Sequence, residues 1–283
     1  MCQEGIALGP FFSLLDKDSA ECYLRISVKV APKQSYFHAA APAPPIACRK
    51  AEPRHIAHIL FEVVNQHFQE VLTLKNPWEE IRLEDYEKHM KLDSVMQLQV
   101  MNEMMRDQFF SYPVSSVMIL GIAGGNGLEH MQKGNFKKVY GVDINRSYLQ
   151  EVTRRYGNLD GMLECICIDL IKEPSKLPQA DMVIANLLIE YIGYKCFQQA
   201  IQAVRPKYIS CIIQVNAEGT WVSDSPYLHV FDKLDQVHHQ IEEHALAQAM
   251  AEIGYNAKKA TARPLPNGKK FIQMDFEKQS PIC

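Results

Sequence analysis

Excess charge of either sign is what this sequence most plainly lacks. Against 30 lysines and arginines stand 33 aspartates and glutamates, a formal net charge of -3. No basic surplus advertises a nucleic acid, so DNA and bulk RNA are disfavoured as partners. Long apolar runs are also missing. None approaches the ~18 residues of a membrane span. No secretory signal opens the chain, and a cytoplasmic protein that does not enter the membrane is expected. The eight cysteines, at 2, 22, 48, 165, 167, 196, 211 and 283, form no CxxC pair. That spacing excludes a redox dithiol and a cysteine zinc site, and leaves reduced, buried thiols. Metal ligands are scarce too. His55 and His58 stand three apart on a helical stretch, but no third ligand accompanies them, so no metal is expected.

What is there begins with residues 117–130. They run apolar, break into glycines and then turn helical. Such a stretch describes a buried strand, a tight turn whose N–H groups face a ligand, and a helix N-terminus. A second apolar run, residues 138–142, ends at Asp143. A glycine turn after one strand and a carboxylate at the tip of the next make a nucleoside-binding pair. The glycines let the ligand approach the backbone, and the carboxylate accepts from ribose hydroxyls.

The 283 residues, 47% of them hydrophobic, suffice for one cored domain with an extension, or for two domains. Residues 24–30 alternate as a strand, and 39–45, with three prolines among alanines, read as a linker. From Pro53 the pattern is helical, with Ile56, Ile59, Leu60, Val63, Val64, Phe68 and Val71 on one face. Further helices are expected over 83–90 and about 94–109. The second carries a methionine-rich stripe, Val95, Leu98, Met101, Met104 and Met105, that suits core or lid packing. Beyond the glycine turn, strands at 163–168, 180–185 and 208–215 alternate with helices at 146–156 and 196–204. Mostly apolar strands belong to a sheet covered on both faces. The alternation implies an α/β fold with a doubly wound, mostly parallel sheet and ligands at the carboxyl ends of its strands. Asp143, Asp169, Asn186, Glu190 and Asn216 all fall at or beyond such ends. After a loop at 218–227, a helix is expected over 235–253. Two extended runs about Pro266-Asn267-Gly268 then signal an antiparallel C-terminal hairpin.

With these residues in place, the chain resembles the class I S-adenosylmethionine-dependent methyltransferases over about residues 76–276, most nearly the bacterial members that act on small molecules. The resemblance implies a seven-stranded Rossmann-like sheet whose last strand, supplied by the hairpin, is antiparallel. It divides the chain into an N-terminal extension (1–52), a helical N-terminal cap (53–112) and a methyltransferase domain (113–283). It also implies S-adenosylmethionine as cofactor. The family's acid-x-Gly-x-Gly-x-Gly motif falls on Gly121, Ala123, Gly125 and Gly127, with Gly121 in place of the acid and Ala123 in place of the first glycine. By resemblance this turn borders the methionine moiety, and Asp143, followed by Ile144, holds the ribose diol. Asp169 accepts from the adenine amino group with Leu170 against the ring. Asn186 and Leu187 stand where the methyl group meets the acceptor. Their run, Asn-Leu-Leu-Ile, differs from the Asn/Asp-Pro-Pro-Tyr/Phe of enzymes that methylate exocyclic amines of nucleic-acid bases, and disfavours that substrate.

The implied reaction needs a general base only if the acceptor must lose a proton. Glu190 and Tyr191 after the fourth strand, and His238 with His239 at the start of the late helix, are the candidates. Tyr86 and His89 in the cap and Trp221 in the following loop are candidates for the substrate pocket. Each has an ordinary structural reading beside it. Two rival functions share the glycine turn and the acid. An NAD(P)-dependent oxidoreductase wants G-x-G-x-x-G, which fails here at two glycines. A non-catalytic nucleoside-binding regulator is permitted by the absent acid at Gly121. The methyl acceptor and the oligomeric state are not legible.

Overall fold

The computed structural model describes residues 76–216 and 221–279. The expected strand at 24–30, the linker, the helix over 53–71 and the His55/His58 pair lie outside the described residues. The strands are β1 (Ser116–Leu120), β2 (Lys138–Asp143), β3 (Leu163–Cys167), β4 (Met182–Asn186), β5 (Tyr208–Val215), β6 (Tyr255–Pro264) and β7 (Lys270–Lys278). They form one sheet in the order β3-β2-β1-β4-β5-β7-β6. The first five pair in parallel, and β7 lies antiparallel between β5 and β6. The helices are α1 (Leu83–Lys91), α2 (Gln97–Phe110), α3 (Arg146–Arg155), α4 (Ile189–Val204) and α5 (Glu243–Glu252).

The central strands are apolar throughout because both of their faces are covered. Alternate residues of a strand point to opposite faces. Met118 and Leu120 accordingly pack with Phe197 and Ile201 of α4 and Leu246 and Met250 of α5. Val117 and Ile119 pack with Met101, Met104 and Met105 of α2 and Leu149 and Val152 of α3. The methionine stripe is therefore core. Between the layers runs a buried polar chain. Gln108 and Asn186 exchange amide hydrogen bonds, Gln108 also donates to Ser210, and Ser210 and Tyr112 donate to Asp275.

Several expectations are corrected. The glycine turn opens no α-helix; Leu128–His130 is a single 3-10 turn. Asn102 of α2 holds it down, donating to Asn126 and Glu129 and meeting His130. The late helix begins at Glu243, not at 235. The stretch before it is drawn elsewhere: Phe231 and Leu234 pack on Ile81, and the His239 N–H donates to the Glu190 carbonyl at 2.6 Å. His238 and His239 thus precede the helix. Conversely, α4 begins at Ile189, well ahead of 196, and Gly193 breaks its path with φ 71° and ψ 168°. The thiols are not uniformly buried. Cys211 is, whereas Cys167 is exposed, because β3 is an edge strand. The Asn267–Gly268 turn joins β6 to β7 as expected. Among the described residues no helix is long and apolar enough to cross a membrane, and no three His, Cys, Asp or Glu side chains gather as metal ligands.

Candidate active site

The carboxyl ends of β1 to β5 open into one pocket. Its first half is built by the glycine turn. Gly121 has φ +70°, and a Cβ there would stand 3.2 Å from Leu188 Cδ1. That explains why no acid occupies this position: the backbone disfavours a side chain and Leu188 fills its space. Ala123, at φ 46°, donates its N–H to Asp143 Oδ2 at 2.9 Å. Asp143 Oδ1 accepts from the Asn145 N–H at 2.8 Å. Burial pushes Asp143 up to about 6 despite these bonds. Ile144, Asp169, Leu170 and Leu187 line the same half. Asp169 accepts from the N–H groups of Ile171 and Lys172, and pairs with the Lys172 ammonium at 3.3 Å. Gly125, by contrast, is not among the lining residues. Its α-carbon faces Tyr156, whose Cε2 would be 2.7 Å from an added Cβ. Asn186 lines the pocket, but its amide is spent on Gln108.

Trp78, Ile81 and α1 are fastened to this half. Asn145 caps α3 through the N–H groups of Ser147 and Tyr148, and its amide donates to the Trp78 carbonyl at 2.9 Å. The Tyr148 hydroxyl donates to the Ile81 carbonyl. Arg155 joins Glu87 of α1 to the Gly124 carbonyl.

The second half is aromatic. Tyr191 stands edge-on to Trp78 at 4.8 Å and to Trp221 at 6.2 Å. His238 stacks on Trp221 at 4.1 Å, and Tyr86 meets Trp78 at 5.9 Å. His89 contacts the Ser225 hydroxyl at 2.7 Å and the Phe231 ring. Burial pushes both His89 and His238 down to about 4, so both are neutral at physiological pH. Glu190 is buried; burial pushes it up to about 7, and its Oε1 accepts the Gln214 N–H at 2.9 Å. Burial raises Tyr191 well above 10, so it holds its proton. The proposed site residues thus reach one pocket, except Gly125, Gly127, Asn216 and His239, which do not line it. Sequence reasoning missed Gln97 and Gln214, whose side chains bond to each other at the pocket wall. It also passed over Phe231, and placed Trp78 in the cap without giving it a site. The one available signal was position: Gln214 stands in the last two residues of β5, just before Asn216.

No family profile and no curated protein matches this chain. Solved structures do. The N-methyltransferase NodS from Bradyrhizobium japonicum WM9, in complex with S-adenosyl-L-homocysteine, is 11% identical with a TM-score of 0.50 over 69% of this chain and 96% of that one. The cyclase SpnF is 8% identical with a TM-score of 0.50 over 65% of this chain and 83% of that one. Geranyl diphosphate methyltransferase in complex with S-adenosylmethionine is 11% identical with a TM-score of 0.49, over 63% and 84%. At such identities the likeness is one of fold. The chain has the Rossmann-like fold of the class I S-adenosylmethionine-dependent methyltransferases. A cyclase among its neighbours shows that this fold does not by itself fix a reaction.

Proposed function

We propose that the protein is an S-adenosylmethionine-dependent methyltransferase with a small-molecule acceptor. The observation that carries the reading is the placement of Asp143. It is tied to the turn after β1 through the Ala123 N–H, and it lines the pocket with lone pairs still to offer. Two ribose hydroxyls are suitable donors to such a carboxylate. The remaining residues fit the rest of the cofactor. Ile144 and Leu170 offer apolar contact to a base, and the Gly121–Ala123 backbone lies where a methionine tail would pass. NodS, crystallised with the demethylated cofactor, supports the reading.

When bound, the cofactor supplies an activated methyl group, so the protein is asked mainly to position two reactants and exclude water. Trp78, Tyr86 and Trp221 wall the second half of the pocket for that purpose. The near-neutral charge supports a small acceptor over a nucleic acid. Calorimetry with S-adenosylmethionine, S-adenosylhomocysteine and NADPH tests the proposal. The first two should bind and NADPH should not; NADPH binding in their place would overturn it. Turnover of methyl-labelled donor across an acceptor panel separates an enzyme from a binding protein.

A further inference from the structure

Glu190 carries a carboxylate oxygen with no hydrogen-bond partner among the described residues. The residue is 4% exposed and lines the pocket. Its Oε1 accepts from Gln214, but Oε2 has no hydrogen-bond partner among the described residues. A buried carboxylate oxygen left bare is costly, and native structures rarely keep one without a reason.

Its surroundings narrow that reason. Glu190 stands four residues past the tip of β4 and bonds to β5, away from Asp143 on β2. The same pocket is walled by the Trp78, Tyr191 and Trp221 rings. Among the described residues no cation pairs with the carboxylate. His89 and His238 are neutral, and the Lys269 ammonium, though both histidines feel it, donates to the Trp221 carbonyl at 2.6 Å. Aromatic faces attract a cation through their quadrupoles. A carboxylate adds a short, charge-assisted hydrogen bond to any N–H that the cation carries. An anionic acceptor would be repelled by the Glu190 carboxylate, and a neutral one would gain nothing from its charge.

We propose that the chamber between Glu190 and the rings of Trp78, Tyr191 and Trp221 takes the acceptor as a small aliphatic amine, with Glu190 as its counter-ion and proton acceptor. The proposal rests on the methyltransferase reading of the same pocket. The amine arrives as an ammonium. One N–H proton passes to Glu190 Oε2, leaving a neutral amine with its lone pair and a neutral carboxylic acid. The C–N bond forms as the donor's S–CH3 bond breaks, and that bond pair stays on sulfur. The product is a methylated ammonium, and the proton on Glu190 returns to water.

Both tryptophans of the chain, Trp78 and Trp221, stand in this wall, so intrinsic fluorescence reads its occupancy. Protein loaded with S-adenosylhomocysteine is titrated with butylamine and with 1-butanol, which has the same shape without the charge. The amine should bind at least about tenfold more tightly, the worth of one charge-assisted hydrogen bond. In Glu190→Gln that preference should vanish while S-adenosylhomocysteine affinity, by calorimetry, stays within about twofold. Equal binding of amine and alcohol, or a preference that survives in Glu190→Gln, overturns the amine proposal and leaves the methyltransferase reading standing. Loss of S-adenosylhomocysteine binding in Glu190→Gln also overturns it, because the carboxylate then serves the cofactor. Failure of the wild type to bind S-adenosylhomocysteine overturns the parent reading itself. If Glu190→Gln does not fold, Trp221→Leu supplies the second measurement: the amine should weaken more than the alcohol, and equal losses overturn the proposal.

Discussion

Asp143 accepts the backbone N–H of Ala123 at 2.9 Å, so the tip of β2 and the turn after β1 are one unit. A ribose acid that also braces the glycine turn cannot be removed cleanly. Asp143→Ala should weaken S-adenosylmethionine binding by about 1–3 kcal/mol, the cost of lost charge-assisted bonds. It should also lower stability by about 1 kcal/mol, because two N–H groups lose their acceptor. Asp143→Asn should fall between, since its NH2 must face one of those N–H groups. Calorimetry and urea melts on the three proteins check this. Wild-type affinity in Asp143→Ala would remove the residue from the site.

The glycine two residues further along has a different task. Gly125 has φ +79°, and an added Cβ would strike the Tyr156 ring. Gly125→Ala should therefore destabilise the fold by about 1–3 kcal/mol. Placing it in a Tyr156→Ala background should recover part of that loss and leave about 1 kcal/mol of backbone strain. Urea melts of the four proteins form the cycle. Strictly additive losses would show that the ring is not what excludes a side chain.

Strand tips were legible from the sequence, and side-chain directions were not. β1, β4 and β5 announce themselves as apolar runs because both faces are buried, and Asn267-Gly268 fixes the hairpin. Asn186 was placed at the right tip, yet its amide is claimed by Gln108, 78 residues away. Nothing local in the sequence reveals such a claim. Gln97 and Gln214 meet across 117 residues, and glutamine belongs to no motif. The apolar spacing of Val237 and Ile241 extends the expected late helix back to 235, while Phe231 and Leu234 pull the stretch onto Ile81. α4 starts at Ile189, ahead of the expected 196, and Gly193 interrupts its helical path.

Helix α1 offers a test of which parts move. Arg155 clips α1 to the glycine turn through Glu87 and the Gly124 carbonyl. The pair is partly exposed, so Arg155→Ala should loosen α1 by only about 0.5–1 kcal/mol. Amide exchange across Leu83–Lys91 should speed up accordingly. Adding S-adenosylhomocysteine should slow exchange there and at the glycine turn. It should leave α2 beyond its first turn unchanged, because its methionines are core. Protection rising equally across α2 would mean that both helices close together. Unchanged exchange of α1 in Arg155→Ala would show that the clip contributes nothing.

Glu190 should also leave a signature in the pH dependence of stability. Burial raises its pKa from an unfolded value of 4.5 to about 7. Between those values the folded state keeps a proton that the unfolded chain has lost. The contribution to stability is full below the unfolded pKa and disappears as pH rises through the folded one. Asp143, raised to about 6 by burial, acts in the same direction. His89 and His238, lowered to about 4, act in the opposite one, for they are neutral when folded and charged when unfolded below 6.5. Lys269, lowered to about 8, and Tyr191, raised well above 10, titrate above this window. Glu190→Gln deletes one falling contribution and keeps an acceptor for the Gln214 N–H. Relative to wild type, the variant should therefore gain about 2–3 kcal/mol between roughly pH 5 and pH 8. Urea melts of both proteins at the two pH values measure the difference. A gap that does not change with pH would mean that Glu190 does not titrate in this range, and that its bare oxygen is answered by a donor in solution.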